Sequence, residues 1–176
     1  FEMIAADPDA TYSDDISIDV SDLEPQISLP GNPANVVSLE EVRGVKIHSA
    51  FVGSCTNGRY EDMAEVAEIL KGRKVADGVV LKIVPSTNRI WQRCLEDGII
   101  KIFKDAGALV GNPGCAGCAA GQIGQNGPGE ITISTGNRNF PGKQGQGKVY
   151  LASPRVVAAS AVRGYITSPE RIDQPV

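Results

Sequence analysis

The sequence predicts an α/β fold in which a mostly parallel sheet carries helices on both faces. From Val45 onward, short apolar runs alternate with segments of helical periodicity, which is the order of elements in parallel sheets. Capping residues follow the apolar runs, and glycines close the helical segments. The 176 residues, 41% hydrophobic and 22% charged, suit one globular domain with its own core.

The first 42 residues differ in charge from the rest of the chain. They contain ten acidic residues and no Lys or Arg, whereas the chain from Arg43 onward has 17 basic and 11 acidic side chains, a net charge of +6. Ile16, Ile18 and Val20 alternate with polar residues, which predicts a half-buried strand. The proline-rich stretch over 25–36 predicts an extended linker or loop. We expect an acidic arm and linker over 1–42, an α/β domain over 43–168 and a C-terminal tail over 169–176.

From Val45 to Gly164 each predicted strand is followed by a helix or a loop. The predicted strands are, in order, VKIHSAFVG, GVVLKIVP, ALVGNP, EITIST and KVYLAS. Apolar residues at helical spacing follow the first two strands and the last one, and IIKIFKDAG forms a further short helix. The expected helix starts and stops are Thr56 or Asn57, Ser86 or Thr87, Gly98, Ser153 with Pro154, and Gly164.

Three of the four cysteines lie in loops that leave the ends of predicted strands. Cys55 follows the first strand, and Cys115 and Cys118 form a CxxC motif in a glycine-rich stretch. Loops at the carboxyl ends of parallel strands meet at one edge of the sheet, so these thiols can converge. A helix N-terminus after Cys55 would favour the thiolate, the form that binds metal. A lone CxxC is weak support, but the added Cys55 favours a shared metal or iron–sulfur site.

Cys94 has two interpretations. Three thiolates are one short of a closed zinc site or a four-cysteine cluster, and Cys94 could complete either. However, it shares an apolar helix face with Trp91 and Leu95, which favours a place in the core. A catalytic cluster, a redox or iron-sensing cluster and a zinc module are therefore all open at this point.

Composition argues against several other classes of protein. No basic run carries interleaved aromatic residues, which argues against nucleic-acid binding. No apolar run approaches the ~20 residues of a membrane helix. No signal peptide is visible, although the chain starts at Phe1, and the cysteines are sparse, so we expect a cytoplasmic protein with reduced thiols. His48, the single histidine, lies in a strand pattern and is expected to have a structural role.

Four segments in the same order resemble the aconitase superfamily: FVGSCTNGRYEDM, NPGCAGC, GPGEITISTGNRNFPGKQGQG and YLASPRVVAASAVRGYI. The resemblance covers residues 25–168. It is strongest to the third, cluster-binding domain in the large subunits of 3-isopropylmalate dehydratases and homoaconitases. It implies a 4Fe–4S cluster held by Cys55, Cys115 and Cys118, with one iron left without a protein ligand.

The resemblance also implies a substrate site. Asn137, Arg138 and Lys143 would lie near the cluster and a small hydroxy-acid substrate, and Asn57 could bind either. A guanidinium group suits a carboxylate, although many relatives have Arg where this chain has Lys143. The implied reaction is dehydration and rehydration, most closely of 2-isopropylmalate to 3-isopropylmalate in leucine biosynthesis, with homoaconitase or aconitase substrates as alternatives.

The acid–base groups of that reaction match no residue of this chain. The resemblance places them in other domains or in another chain. We therefore expect the chain alone to be inactive. Its expected partners are the remaining large-subunit domains and a small subunit or C-terminal swivelling domain.

Overall fold

Residues 3–174, which the computed structural model describes, form a seven-stranded sheet. The strands are β1 (Gln26–Ser28), β2 (Val36–Ser38), β3 (Ser49–Gly53), β4 (Val80–Val84), β5 (Leu109–Val110), β6 (Ile131–Ser134) and β7 (Lys148–Leu151). Their order across the sheet is β2-β1-β7-β6-β3-β4-β5. The strands from β7 to β5 are parallel, and the β1–β2 hairpin adds an antiparallel edge. The predicted α/β class with a mostly parallel sheet is confirmed.

The helices of the described part are α1 (Leu39–Val42), α2 (Ser54–Asn57), α3 (Tyr60–Leu70), α4 (Asn88–Glu96), α5 (Ile99–Ala106) and α6 (Pro154–Arg163). Thr87 caps α4 and Ser153 caps α6, as predicted. Helix α3 differs, because it begins after Arg59, and Thr56 and Asn57 belong to the separate turn α2. None of the helices within residues 3–174 is long and apolar enough to cross a bilayer.

Within the described residues, helices α3, α4, α5 and α6 pack on one face of the sheet, whereas the sequence had indicated helices on both faces. Ala50 and Val52 of β3 share one core with buried residues of α3, α4, α5 and α6. Successive strand residues point to opposite faces, and Phe51 belongs to a second, smaller core with Ala116 and Ile123. That second face is covered by loops.

The strand order explains why these loops lie opposite the helices. The steps β3 to β4 and β4 to β5 run in one direction across the sheet, whereas β5 to β6 and β6 to β7 run back. Right-handed crossovers place connections of opposite direction on opposite faces. The two returning connections, 111–130 and 135–147, are rich in glycine and contain no α-helix. Their composition therefore replaces the expected second helical layer with a layer of loops.

The strand predicted near the N-terminus is absent from the described structure. Residues 3–26 are exposed throughout. Ile16, Ile18 and Val20 are 79%, 75% and 63% exposed, and no strand is assigned over 15–20. The alternating pattern indicates a local preference for extended backbone, but a strand also requires a neighbouring strand to pair with. No strand lies beside residues 15–20 within residues 3–174.

The stretch 25–36, predicted as an extended linker or loop, contains strand β1 and the turns that lead into β2. Ile27 pairs with Val37 in the hairpin and is fully buried. Burial of this side chain outweighs the preference of the neighbouring prolines for irregular structure. The division of the chain at residue 42 stays a prediction, although β1, β2 and α1 from its N-terminal side belong to the sheet and its core.

Gly53 ends β3 at a close approach to β4. Its φ is +129°, and a Cβ atom there would lie 1.9 Å from the carbonyl oxygen of Val84. We expect Gly53→Ala to lower the free energy of unfolding by roughly 2–5 kcal/mol, since it adds both backbone strain and a clash with β4. Denaturant unfolding measures this loss.

Gly31→Ala is the matched control for Gly53→Ala. Its φ is +106°, but no atom lies within 4 Å of the added Cβ. It should carry only the conformational cost of about 1–2 kcal/mol. Equal losses of stability in the two variants would show that the contact with β4 does not limit residue 53.

Candidate functional site

The candidate site lies beyond the carboxyl ends of β3 and β6, two neighbouring parallel strands. The connections that follow these strands run in opposite directions across the sheet. From β3 the chain proceeds toward β4, and from β6 it proceeds toward β7 on the other side. In open α/β sheets, ligands bind in the crevice beyond the carboxyl ends of such strands. Cys55 follows β3 at this point, and Asn137 follows β6. The topology therefore brings two of the predicted site residues to one crevice.

Side chains from the two loops meet across this crevice. The Thr56 hydroxyl donates to Oδ1 of Asn137 at 2.6 Å. The Asn57 side-chain amide donates to the carbonyl of Thr135 and lies 3.5 Å from the same Asn137 oxygen. The sequence had suggested that Asn57 is an N-cap, but it ends α2 instead. Its side chain links the loops after β3 and β6.

The three cysteines of the predicted ligand set come together at the same edge. Cys55 lies in α2. Cys115 directly precedes a short 3₁₀ turn (Ala116–Cys118), Cys118 is its last residue, and this turn packs against α2. Cys55 and Cys115 are exposed and Cys118 is half-buried, so a ligand has access to the thiols.

Charge and hydrogen bonding around Cys115 act in opposite directions. A hydrogen bond with Cys118, followed by burial and the charge of Cys118, raises the pKa of the Cys115 thiol above its ordinary value. The hydrogen bond with Cys55 and the charge of Lys143 lower the same pKa. Lys143 Nζ lies 3.5 Å from the Cys118 carbonyl oxygen, so this predicted substrate-binding cation lies beside the cysteines. A nearby cation favours thiolates over thiols.

Backbone strain marks both cysteine-bearing segments. Among residues 3–174, the non-glycine residues with positive φ are Ser54, at 90°, and Ala116, at 51°. Ser54 directly precedes Cys55, and Ala116 directly follows Cys115. Such conformations cost on the order of 1–3 kcal/mol each and concentrate at functional sites. The strain therefore supports a functional role for these two turns.

The thiols do not converge on a single metal position. Within the described part of the chain, no group of three or more His, Cys, Asp or Glu side chains is arranged to hold one metal ion. This is compatible with the packing of the two cysteine-bearing turns, because thiolates that hold an iron–sulfur cluster each bind a different iron. Ligands of a cluster surround a group of atoms and need not meet at one point.

Cys94 and His48 lie apart from the site, in the structural roles that the sequence favoured. Cys94 is fully buried in the main core, and burial raises the pKa of its thiol to about 11. His48 Nδ1 accepts a hydrogen bond of 3.0 Å from the Ile131 backbone N–H and so links two strands. Neither residue reaches the three cysteines.

Comparison with known proteins now decides the family. A sequence profile of the Aconitase family (aconitate hydratase) matches residues 1–164. This chain belongs to the aconitase family. The resemblance inferred from the four sequence segments is confirmed.

Several relatives of this aconitase-family chain are named as large subunits of 3-isopropylmalate dehydratase or of homoaconitase. A probable 3-isopropylmalate dehydratase large subunit of Methanothermobacter thermautotrophicus is 49% identical over 171 residues, covering 96% of this chain and 41% of the relative. A 3-isopropylmalate dehydratase large subunit of Methanopyrus kandleri is 47% identical over 168 residues, with 94% and 40% covered. A homoaconitase large subunit of Thermus thermophilus is 45% identical over 170 residues, with 96% and 41% covered. The chain thus spans about two fifths of the length of these relatives.

Arg138 of this aconitase-family chain is exposed. None of the ion pairs formed within residues 3–174 involves it. Its neighbour Asn139 anchors the loop instead, because the Asn139 amide donates to the carbonyls of Leu29 at 2.7 Å and Val149 at 3.0 Å. The guanidinium of Arg138 is therefore available for an external carboxylate, and the anchoring role of Asn139 was missed in the sequence.

Proposed function

We propose that this chain is the iron–sulfur-cluster-bearing part of a hydro-lyase that isomerises a hydroxy acid by dehydration and rehydration. The observation that supports the proposal is the packing of the Cys115–Cys118 turn against the α2 turn of Cys55, where Thr56 bonds to Asn137 of the loop after β6. The favoured reaction is conversion of 2-isopropylmalate to 3-isopropylmalate in leucine biosynthesis. Relatives that bear the name 3-isopropylmalate dehydratase, similar over nearly the whole chain, support this choice.

The three cysteines fit a 4Fe–4S cluster. Thiolates are the soft ligands that such clusters take, and the intervening Ala116 and Gly117 are small enough to leave room for it. Cys55, Cys115 and Cys118 would hold three irons. When bound, the cluster supplies one iron without a protein ligand, a Lewis acid that can polarise a substrate hydroxyl.

The surrounding side chains would bind and orient the substrate. Arg138 can hold a carboxylate through two parallel hydrogen bonds. Oδ1 of Asn137 already accepts from Thr56, so its N–H₂ group is left to donate to a substrate oxygen. Lys143 adds positive charge next to the cysteine turn. Asn57 donates to the Thr135 carbonyl and so positions the loops, and its Oδ1 atom would be the part that contacts substrate or cluster.

Homoaconitate is the second candidate substrate, since a homoaconitase large subunit is 45% identical to this chain. The two reactions share the same chemistry and differ in the side chain of the acid. The redox or iron-sensing alternative depends on a fourth thiolate ligand, and Cys94 would have to supply it. The burial of Cys94 in the main core removes the observation that would favour that alternative.

A catalytic base and further acid–base groups must come from partners. Proton transfer requires such groups within hydrogen-bond reach of the reacting atoms. His48 is engaged with a backbone N–H, and no residue of this chain matches the base of the family reaction. The proposed partners are the remaining large-subunit domains and a small subunit or C-terminal swivelling domain. The exposed apolar residues Ile16, Ile18 and Val20 are candidates for contact with them.

The reconstituted chain is expected to carry a cluster but not to catalyse dehydration by itself. Iron and sulfide are added anaerobically, and electron paramagnetic resonance and Mössbauer spectra report the cluster type and its labile iron. Ultraviolet absorbance of the unsaturated acid measures turnover before and after the missing parts are added. A colourless zinc-binding chain would refute the cluster, and turnover by the chain alone would refute the division of catalytic groups.

A further inference from the structure

Gln144 occupies a buried position between the two loops of the candidate site. It is 4% exposed, although it lies in a glycine-rich loop. The Ser134 hydroxyl donates to Oε1 of Gln144 at 2.9 Å, and Nε2 of Gln144 donates to the Gly124 carbonyl at 3.1 Å. One side-chain amide therefore connects the end of β6 to the connection that carries the cysteines.

One end of this bridge leads to the proposed substrate-binding residues. The backbone N–H of Gly136 donates to the Ser134 hydroxyl oxygen at 2.9 Å. Gly136 directly precedes Asn137 and Arg138. The Ser134 hydroxyl thus accepts from that loop and donates to Gln144, and hydrogen bonds in such a chain strengthen one another.

The other end leads to the cysteine turn. A Cβ atom on Gly124 would lie 2.9 Å from the backbone nitrogen of Gly117, and one on Gly117 would lie 3.0 Å from Nε2 of Gln144. Gly117 lies between Cys115 and Cys118. The amide of Gln144 is therefore packed directly against the peptide that spaces the two thiols.

We propose that Gln144 is a positioning residue that couples the Cys115–Cys118 turn to the Asn137–Arg138 loop. A buried amide bonded at both ends holds the loops at a fixed separation, where an apolar side chain of equal size would only fill the space. The importance of that separation for substrate rests on the proposed function. The coupling itself depends only on hydrogen bonds within this chain. It can therefore be measured without a cluster.

The first measurement compares thiol accessibility in two matched variants. Gln144→Met removes both hydrogen bonds at nearly constant volume. Gln146→Met makes the same change at an exposed position of the same loop. Iodoacetamide labelling at fixed pH, followed by mass spectrometry, gives the modification rate of Cys118 relative to that of exposed Cys55. We expect an increase of up to about tenfold in Gln144→Met, because lost hydrogen bonds favour local opening, and no change in Gln146→Met.

The second measurement detects the coupling by NMR. All proteins in this experiment carry Cys55→Ser, so that residue 55 is not alkylated. Alkylation there could shift the Asn137 signal through the hydrogen bond between Thr56 and Asn137, without passing through Gln144. Alkylation of Cys115 and Cys118 should shift the backbone amide signals of Gly136 and Asn137. We expect these shifts in the parent protein and in Gln146→Met, and their loss in Gln144→Met.

Unchanged labelling together with persistent amide shifts in Gln144→Met would overturn the proposal, as would equal effects in Gln146→Met. If Gln144→Met does not fold, Ser134→Ala takes its place, since it cuts the bridge at one end only. Weakened amide shifts in that variant support the coupling, and unchanged shifts refute it. Failure of the wild-type chain to take up a cluster would refute the proposed function but leave these readouts unaffected.

Discussion

Replacement of Cys55, Cys115 or Cys118 by Ser, one at a time, is expected to abolish retention of the iron–sulfur cluster. The three thiolates are the ligands proposed for it, and none of the other Cys or His side chains lies beside them in residues 3–174. A serine hydroxyl is a harder ligand that stays protonated at neutral pH, so two thiolates would have to hold the whole cluster. Iron and sulfide content per chain after anaerobic reconstitution and gel filtration measures the loss.

Cys94→Ser is the matched control for these three substitutions. Cys94 is fully buried on α4, where a hydroxyl group would lack water and replace an apolar contact. We expect this variant to keep its cluster and to lose about 1–3 kcal/mol of stability toward denaturant. If Cys94→Ser lost the cluster while Cys118→Ser kept it, the ligand set would be wrong and the four-cysteine redox alternative would return.

Arg138→Ala is expected to reduce kcat/KM strongly in the complete enzyme while leaving its cluster content unchanged. Loss of a charged bidentate contact costs on the order of 2–5 kcal/mol, which corresponds to a reduction of roughly 30- to 5000-fold. Lys143→Ala should have a smaller effect, and Lys143→Arg should be tolerated because the charge is kept. Steady-state kinetics and iron content, measured on the same preparations, separate the two effects.

Arg155→Ala is the control for Arg138→Ala. Arg155 lies on α6, on the helical side of the sheet, and pairs with Glu68 at 3.0 Å. Loss of such a partly exposed ion pair changes stability by at most about 1 kcal/mol and should not alter turnover. If Arg138→Ala kept near-normal kcat/KM, Arg138 would not bind substrate and would serve only the conformation of its loop.

The sequence was sufficient for features that depend on local order. Thr87, Ser153 and Pro154 mark helix starts through bonds or dihedral angles within a few residues, and the structure confirms them. The strand pattern at Ile16 and Ile18 failed because a strand also requires a partner, which sequence periodicity does not supply. The cover of the second face, by loops rather than by long helices, follows from the strand order, because that order sets the direction of each crossover.

The part of the candidate site that was predictable from the sequence is the set of residues that directly follow strand ends, because the carboxyl ends of parallel strands meet at one edge of the sheet. Cys55 and the CxxC motif follow predicted strands, and the apolar helix face set Cys94 apart from them. Thr56 and Gln144 escaped notice because their roles arise from contacts between separate loops, such as the bond from Thr56 to Asn137 across 81 positions of the chain. The GNRN sequence over 136–139 contains one signal for the anchoring of this loop, the second asparagine at position 139.

The exposed segment 15–20, which pairs with no strand within residues 3–174, also has to avoid self-association. Ile16, Ile18 and Val20 lie exposed in the alternating order that would let two copies pair edge to edge and form the start of an aggregate. Asp15 and Asp19 flank these residues, and like charges on facing copies repel one another. The pKa of Asp19 lies below its ordinary value, because the Ser21 hydroxyl donates to its carboxylate, so this side chain keeps its charge to lower pH than an ordinary Asp. The acidic side chains thus oppose self-pairing of this exposed apolar segment.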